Sequence, residues 1–309
     1  MKDLHDRVAP EVRRAIVGQD DALALLLCAA ALGGHVLLEG PPGTAKTLLA
    51  RAFAAALDTS FRRIQFTPDM LPSDVTGTVA LRGGDLTFRP GPVFASVVLA
   101  DEINRTPPKT QAALLEAMEE RQVTVDGESH ALPDPFVVVA TQNPIEYEGT
   151  YPLPEAQLDR FLFRIVIDYP SADDERALLR LARRGLEPAA LDDVRAVATA
   201  ADLHAARASV DAVRATDAVE AFVVAVVRAT RDLPGVTLGA SPRAAVHLLA
   251  AARAAAALSG RDYITPDDVT RMASPVLAHR LLLAPEAELD RFGAADAIAA
   301  ALAAVPVPR

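Results

Sequence analysis

A run of small residues ends in a lysine and a threonine: Gly40-Pro41-Pro42-Gly43-Thr44-Ala45-Lys46-Thr47, followed by Leu48. Before it, His35-Val36-Leu37-Leu38 reads as a buried strand; after it, Thr47 to Leu57 has the composition of a helix. Strand, glycine-rich loop and helix in this order make a cradle for phosphate. Glycines let backbone N–H groups converge on the oxygens, and a helix N-terminus favours negative charge. In such a loop Lys46 contacts β- and γ-phosphates and Thr47 ligates Mg²⁺. The pattern G-x-x-x-x-G-K-[ST] has Ala45 where its last glycine stands, which is tolerable if that residue keeps ordinary helical dihedrals.

A second constellation follows. Val97-Val98-Leu99-Ala100 is an apolar strand that runs into Asp101 and Glu102. Acids at the end of a buried strand need a reason to be there. Asp101 can hold a Mg²⁺ shell, and Glu102, pointing to the other side, can polarise an attacking water. Read alone, the same pair also suits a strand end that caps Asn104 or the next helix.

The elements that must position these groups alternate short apolar strands with longer helices. Arg63 to Phe66, Val97 to Ala100, Phe136 to Ala140 and Phe163 to Ile167 are the further strands; Asp20 to Leu32 and Lys109 to Glu120 are helical. This rhythm predicts an α/β fold, a parallel sheet with helices on both faces. Two stretches, 79–88 and 123–132, read as β-hairpins turning at Gly83-Gly84 and Asp126-Gly127. Beyond Tyr169-Pro170, alanine-rich helices run from Ala172 to Ala303, with breaks at Leu233-Pro234-Gly235, Ser259-Gly260 and Pro275. The expected domains are therefore an α/β nucleotide-binding domain, 1–180, and an all-helical domain, 181–309.

Composition narrows the classes. Across 309 residues, 31 Lys and Arg against 41 Asp and Glu give a net charge of −10, which disfavours a simple nucleic-acid-binding module. Cys28, the single cysteine, sits in an apolar stretch as a small core residue of a reducing compartment. The six histidines are scattered without paired ligand spacing. Met1 to Glu11 lacks the apolar core of a signal peptide, and Ala22 to Leu38 is too short and interrupted to span a bilayer, so a cytoplasmic location is expected.

Val17-Gly18-Gln19, Gly40 to Thr47, Leu99-Ala-Asp-Glu-Ile-Asn-Arg105, Ala140-Thr-Gln-Asn-Pro144, Leu153-Pro-Glu-Ala-Gln-Leu-Asp-Arg-Phe161 and Gly239-Ala-Ser-Pro-Arg243 together resemble the MoxR family of AAA+ ATPases, over residues 15 to 295. Alanine at position 45 is usual in that family. The resemblance implies an AAA+ sandwich with a helical lid, ATP and Mg²⁺ as ligands, and a ring of copies, six in number, with ATP between subunits. It gives Asn143 the role of sensor 1, Arg160 that of an arginine finger reaching a neighbour's γ-phosphate, and Arg243 that of sensor 2. Val17, Gly18 and Gln19 would support the adenine, and Gln65 would hold Glu102 inactive until a partner binds. The two hairpins resemble the helix-2 insert and the hairpin before sensor 1, which face a pore in related rings; either also suits a surface ribbon. The implied task is chaperone-like: remodelling, maturation, or metal or cofactor insertion, on a partner that carries a von Willebrand factor type A domain. The alternative is a nucleic-acid motor of the helicase or chelatase type; a nucleotide-gated module without turnover fits poorly with Lys46, Asp101, Glu102 and Arg160 being present together.

Overall fold

The computed structural model describes residues 1–83, 85–143, 149–181 and 191–308. They form two compact units, one of Asp3–Leu153 and Ile165–His204, the other of Met1–Lys2, Pro154–Arg164 and Ala205–Arg309. The expected division at 180/181 adjoins residues 182–190, and Gly84 and Pro144 of the expected motifs also lie outside the described residues.

In the first unit, helices α1 (Lys2–Val12) and α2 (Asp20–Leu32) lead into strand β1 (Val36–Glu39) and helix α3 (Lys46–Ala56). Leucine and alanine make α2 apolar nearly all round, and it is buried accordingly; Gly33, left-handed at φ 66°, ends it by donating its N–H to the Ala29 and Ala30 carbonyls. Next come β2 (Leu57–Asp58), β3 (Phe61–Gln65), α4 (Pro72–Thr76), the hairpin β4 (Gly77–Arg82) and β5 (Asp85–Pro90), β6 (Val97–Asp101) and α5 (Pro108–Glu120). The hairpin β7 (Gln122–Val125) and β8 (Glu128–Ala131) follows, then β9 (Val137–Gln142), α6 (Glu155–Leu158), which belongs to the second unit, β10 (Phe163–Val166), α7 (Ala172–Leu181), β11 (Ala198–Thr199) and α8 (Ala200–Asp211), most of which belongs to the second unit.

The central sheet has the order β10-β1-β9-β6-β3. Neighbours β1/β9, β9/β6 and β6/β3 run parallel, as the uninterrupted aliphatic runs predict. Register sets Glu39 opposite Gln142 and Gln65 opposite Asp101, so polar residues collect at the carboxyl ends of the strands, where open α/β sheets bind ligands. Both expected hairpins are present. Asp126 and Gly127 turn the second at φ 50° and 84°, and the ring of Phe88 stacks on that of His130 at 3.9 Å and 10°, joining one ribbon to the other.

The second unit holds α9 (Asp217–Ala229), β12 (Val236–Leu238), α10 (Pro242–Leu258), α11 (Pro266–Leu277), β13 (Leu282–Leu283), α12 (Pro285–Leu289) and α13 (Ala294–Ala304). Buried alanines such as Ala251 and Ala255 let α10 lie close against α11. Asp268, fully buried, caps α11 through Thr265 and takes both ends of the Arg261 guanidinium at 2.6 and 2.8 Å. Pro275 does not break the chain as expected: it lies inside α11, close enough to the end that the missing N–H removes a single helical bond.

Candidate active site

The loop after β1 is built by close backbone approach. A Cβ on Gly40 would stand 2.2 Å from the Ile167 carbonyl, so only glycine lets the strand leave the sheet there, and Gly43 turns at φ 82°. The Thr44 hydroxyl donates to the Pro41 carbonyl at 2.9 Å. Ala45 departs from expectation. It is left-handed, φ 62° and ψ 22°, not helical, and stands as the N-cap of α3. The missing glycine therefore carries a conformational cost of about 1–2 kcal/mol at that residue, which the surrounding loop holds in place.

Lys46 Nζ donates to the carbonyl oxygens of Gly40 and Pro41, both at 2.7 Å. Thr47 Oγ1 donates to the two oxygens of Asp101 at 3.1 and 3.2 Å. A hydroxyl and a carboxylate at the head of a phosphate loop are the hard oxygen donors that Mg²⁺ takes alongside phosphate oxygens and water. The residues present fit that ion. Among the described residues there is no cluster of three or more His, Cys, Asp or Glu that would hold a metal otherwise.

Asp101 is 4% exposed, and its charge is met from several sides. Thr141 Oγ1 donates to Oδ1 at 2.6 Å, and Arg63 donates to Oδ2 through Nε at 3.1 Å and Nη2 at 2.7 Å. Glu102 leaves the strand in the left-handed region, φ 58°, which turns its side chain away from that of Asp101; its N–H donates to the same Thr141 hydroxyl at 2.9 Å. Its carboxylate accepts from Gln65 Nε2 at 2.8 Å and lies 3.1 Å from Arg105 Nε. Pro42, Gly43, Thr44, Ala45, Lys46, Thr47, Leu48, Asp101, Glu102 and Asn143 line one cavity of about 320 Å³ with Thr141 and Gln142. Ten of the residues expected from sequence thus meet around one space.

A model of the ATPase family associated with various cellular activities (AAA) matches residues 35–163, and a model of the AAA lid domain matches 228–302. The chain is 44% identical to Chaperone MoxR1 of Mycobacterium tuberculosis over 98% of its own length and 82% of that protein. It is 36% identical to Protein MoxR of Methylorubrum extorquens, over 99% and 96%. The chain belongs to the MoxR family of AAA+ ATPases. Its fold agrees: a putative ATPase from Cytophaga hutchinsonii superposes with a TM-score of 0.91 at 38% identity, covering 100% of this chain and 96% of that one.

The remaining residues expected of a MoxR protein lie elsewhere. Gly18, at φ 74°, sits where a Cβ would stand 2.7 Å from the Asp174 carboxylate; Val17 and Gln19 flank it before α2, and none of the three lines the cavity. Gly40 and Pro41 form the strand exit behind the lining. Arg160 and Arg243 belong to the helical unit. There Arg243 Nη1 lies 3.9 Å from Asp159, the residue before Arg160. Asp159 is anchored by Arg280, whose side chain is 1% exposed and donates through Nε at 2.7 Å to Asp159 Oδ1 and through Nη2 to the Phe161 carbonyl at 2.7 Å and to His247 Nδ1 at 2.6 Å. Burial lowers the Arg280 pKa, and the Asp159 carboxylate opposes that shift.

The sequence carries little local signal for Arg63, Thr141 and Arg105. Thr141 stands inside a quoted motif, but its bridging role depends on the β6/β9 pairing; Arg63 shows no signal except its place two residues before Gln65. Cys28 is fully buried, with burial pushing its thiol up to about 12, which leaves it an inert core residue.

Proposed function

We propose that this MoxR-family ATPase hydrolyses Mg·ATP at the Lys46–Asp101–Glu102 cavity and uses the cycle to remodel or mature a partner protein. The observation that carries the reading is the meeting of a phosphate loop, a hydroxyl–carboxylate pair and a second acid on one cavity. Lys46 exchanges the Gly40 and Pro41 carbonyls for phosphate oxygens. Thr47 and Asp101 hold Mg²⁺, which supplies charge neutralisation along the transferring phosphate. Glu102 accepts a proton from the attacking water once it leaves Gln65 and Arg105, and Asn143, as sensor 1, orients that water.

In this reading the helical unit is a lid that brings Arg243 as sensor 2, and Val17, Gly18 and Gln19 support the base. Copies assemble into a ring of six, in which Arg160 serves the nucleotide of a neighbour. The relative named Chaperone MoxR1 supports a chaperone role; a von Willebrand factor type A partner, metal or cofactor insertion, and a cytoplasmic setting are the finer parts of the proposal. No helix among the described residues is long and apolar enough to cross a membrane.

Binding of a fluorescent ATP analogue tests the site. Lys46→Ala is expected to weaken it about ten- to a hundredfold, the worth of a charged hydrogen bond. Glu102→Gln is expected to bind normally while turning over about 10²–10⁴-fold more slowly. Undiminished affinity in the first variant, or undiminished turnover in the second, overturns the assignment.

A further inference from the structure

Asp101 and Glu102 are adjacent in sequence and face different ways, yet a chain of side chains on β3 connects them. The β3/β6 register sets Gln65 opposite Asp101, and Arg63, two residues earlier, shares its face of the strand. Arg63 donates twice to Asp101 Oδ2 and, through the same Nη2, to Gln65 Oε1. Gln65 in turn donates to Glu102. With its amide oxygen held by a cation, Gln65 is fixed with its NH₂ toward Glu102, the only orientation that donates.

The two ends of the Arg63–Asp101 pair differ in freedom. The Asp101 side chain is 5% exposed, so its charge requires a partner, whereas that of Arg63 is 47% exposed and loses little by turning into water. A cation on Asp101 can be replaced by another cation at little cost. Asp101 is also the carboxylate assigned above to Mg²⁺, so guanidinium and metal compete for it.

We propose that Arg63 is an interlock: it neutralises Asp101 until that carboxylate is committed to Mg²⁺, and on leaving it releases Gln65 and thereby Glu102. Hydrolysis is then barred while nucleotide lacks its metal. The inference rests on the proposed roles of Asp101 and Glu102. Arg63 touches neither substrate nor water in this scheme and acts as a positioning residue.

The full-length protein is titrated with MgCl₂ while binding of a fluorescent ATP analogue is followed, and turnover is measured at saturating Mg²⁺. Arg63→Gln is expected to lower the half-saturating Mg²⁺ concentration about three- to tenfold, the range for a partly exposed ion pair, with analogue affinity in EDTA unchanged. Arg63→Lys keeps the charge without the fork, and its midpoint is expected within about twofold of wild type. At saturating Mg²⁺ the effects of Arg63→Gln and Gln65→Ala on turnover are expected to be non-additive, because both act by releasing Glu102. An unchanged or raised midpoint in Arg63→Gln overturns the competition, and strictly additive turnover effects overturn the link to Glu102. Asp101→Asn separates the two readings. If it leaves the midpoint unmoved, the metal assignment itself fails; if it moves the midpoint and Arg63→Gln does not, the interlock alone fails.

Discussion

Asp101 and Asp159 each hold an arginine at 2.7 Å, but the Arg63 side chain is 47% exposed and that of Arg280 1%. The first pair stands at the edge strand of the sheet with its cation half exposed. The second is enclosed in the helical unit, where Arg280 also donates to the carbonyls of Asp159, Phe161 and Leu162 and to His247. Removing one member of an enclosed pair strands a charge, whereas an exposed guanidinium exchanges partners easily. The same two functional groups at the same distance therefore do different work: Arg63 is placed to let go, and Arg280 to hold the segment that carries Arg160.

The largest effect tests what the enclosed pair is for. Arg160→Ala is expected to leave ATP binding intact and cut turnover about 10³–10⁵-fold, as removal of an arginine finger does. If the finger acts between copies, mixing Arg160→Ala with Glu102→Gln restores part of the activity that neither has alone, because some interfaces regain both groups. A flat, inactive curve across mixing ratios rejects the trans role and returns Arg160 to a local ion pair.

A smaller effect tests the contrast directly. Arg280→Met is expected to cost about 1.5–3 kcal/mol of stability, since Asp159, 25% exposed and with Arg243 at 3.9 Å, loses its charged hydrogen bond to a buried partner. Arg63→Met is expected to change stability by about 1 kcal/mol or less. Denaturant midpoints of the two variants check this, and equal losses would erase the distinction.

A further effect, on the pH dependence of stability rather than on a single pair, follows from the histidines. Burial, with Arg280 adding to it, lowers the His247 pKa to about 4; burial, with Arg121 adding, lowers His35 to about 3; His279 is held well below its usual range, chiefly by burial. All three stay neutral in the folded chain at a pH where the unfolded chain protonates them, near 6.5. The unfolded state thus binds more protons below that pH. Stability is expected to fall as pH drops from about 6.5 toward 4, by up to about 1.4 kcal/mol per unit for each residue. Melting temperatures between pH 7.5 and 5 measure it, and His247→Gln should flatten the slope.

What was legible in the sequence was local. The strand, loop and helix around Lys46 and the strand running into Asp101-Glu102 announce themselves because each is a contiguous run with its own periodicity. Thr141 and Arg63 were not legible as partners of Asp101, because their contacts depend on strand register across 40 and 38 positions. Nor does composition show that Pro154–Arg164 groups with the C-terminal helices, since Arg280, more than a hundred residues later, makes that attachment. The dihedrals of Ala45 went the other way from expectation because the loop, not the residue's own preference, decides them.

The stack of Phe88 on His130 has a mechanical meaning. The two ribbons leave the fold at different points in the chain, but a load on either tip reaches the other through the rings without crossing the sheet. An aromatic contact of this kind is worth about 0.5–1.5 kcal/mol, enough to couple the two ribbons without welding them, like a slip clutch between two levers.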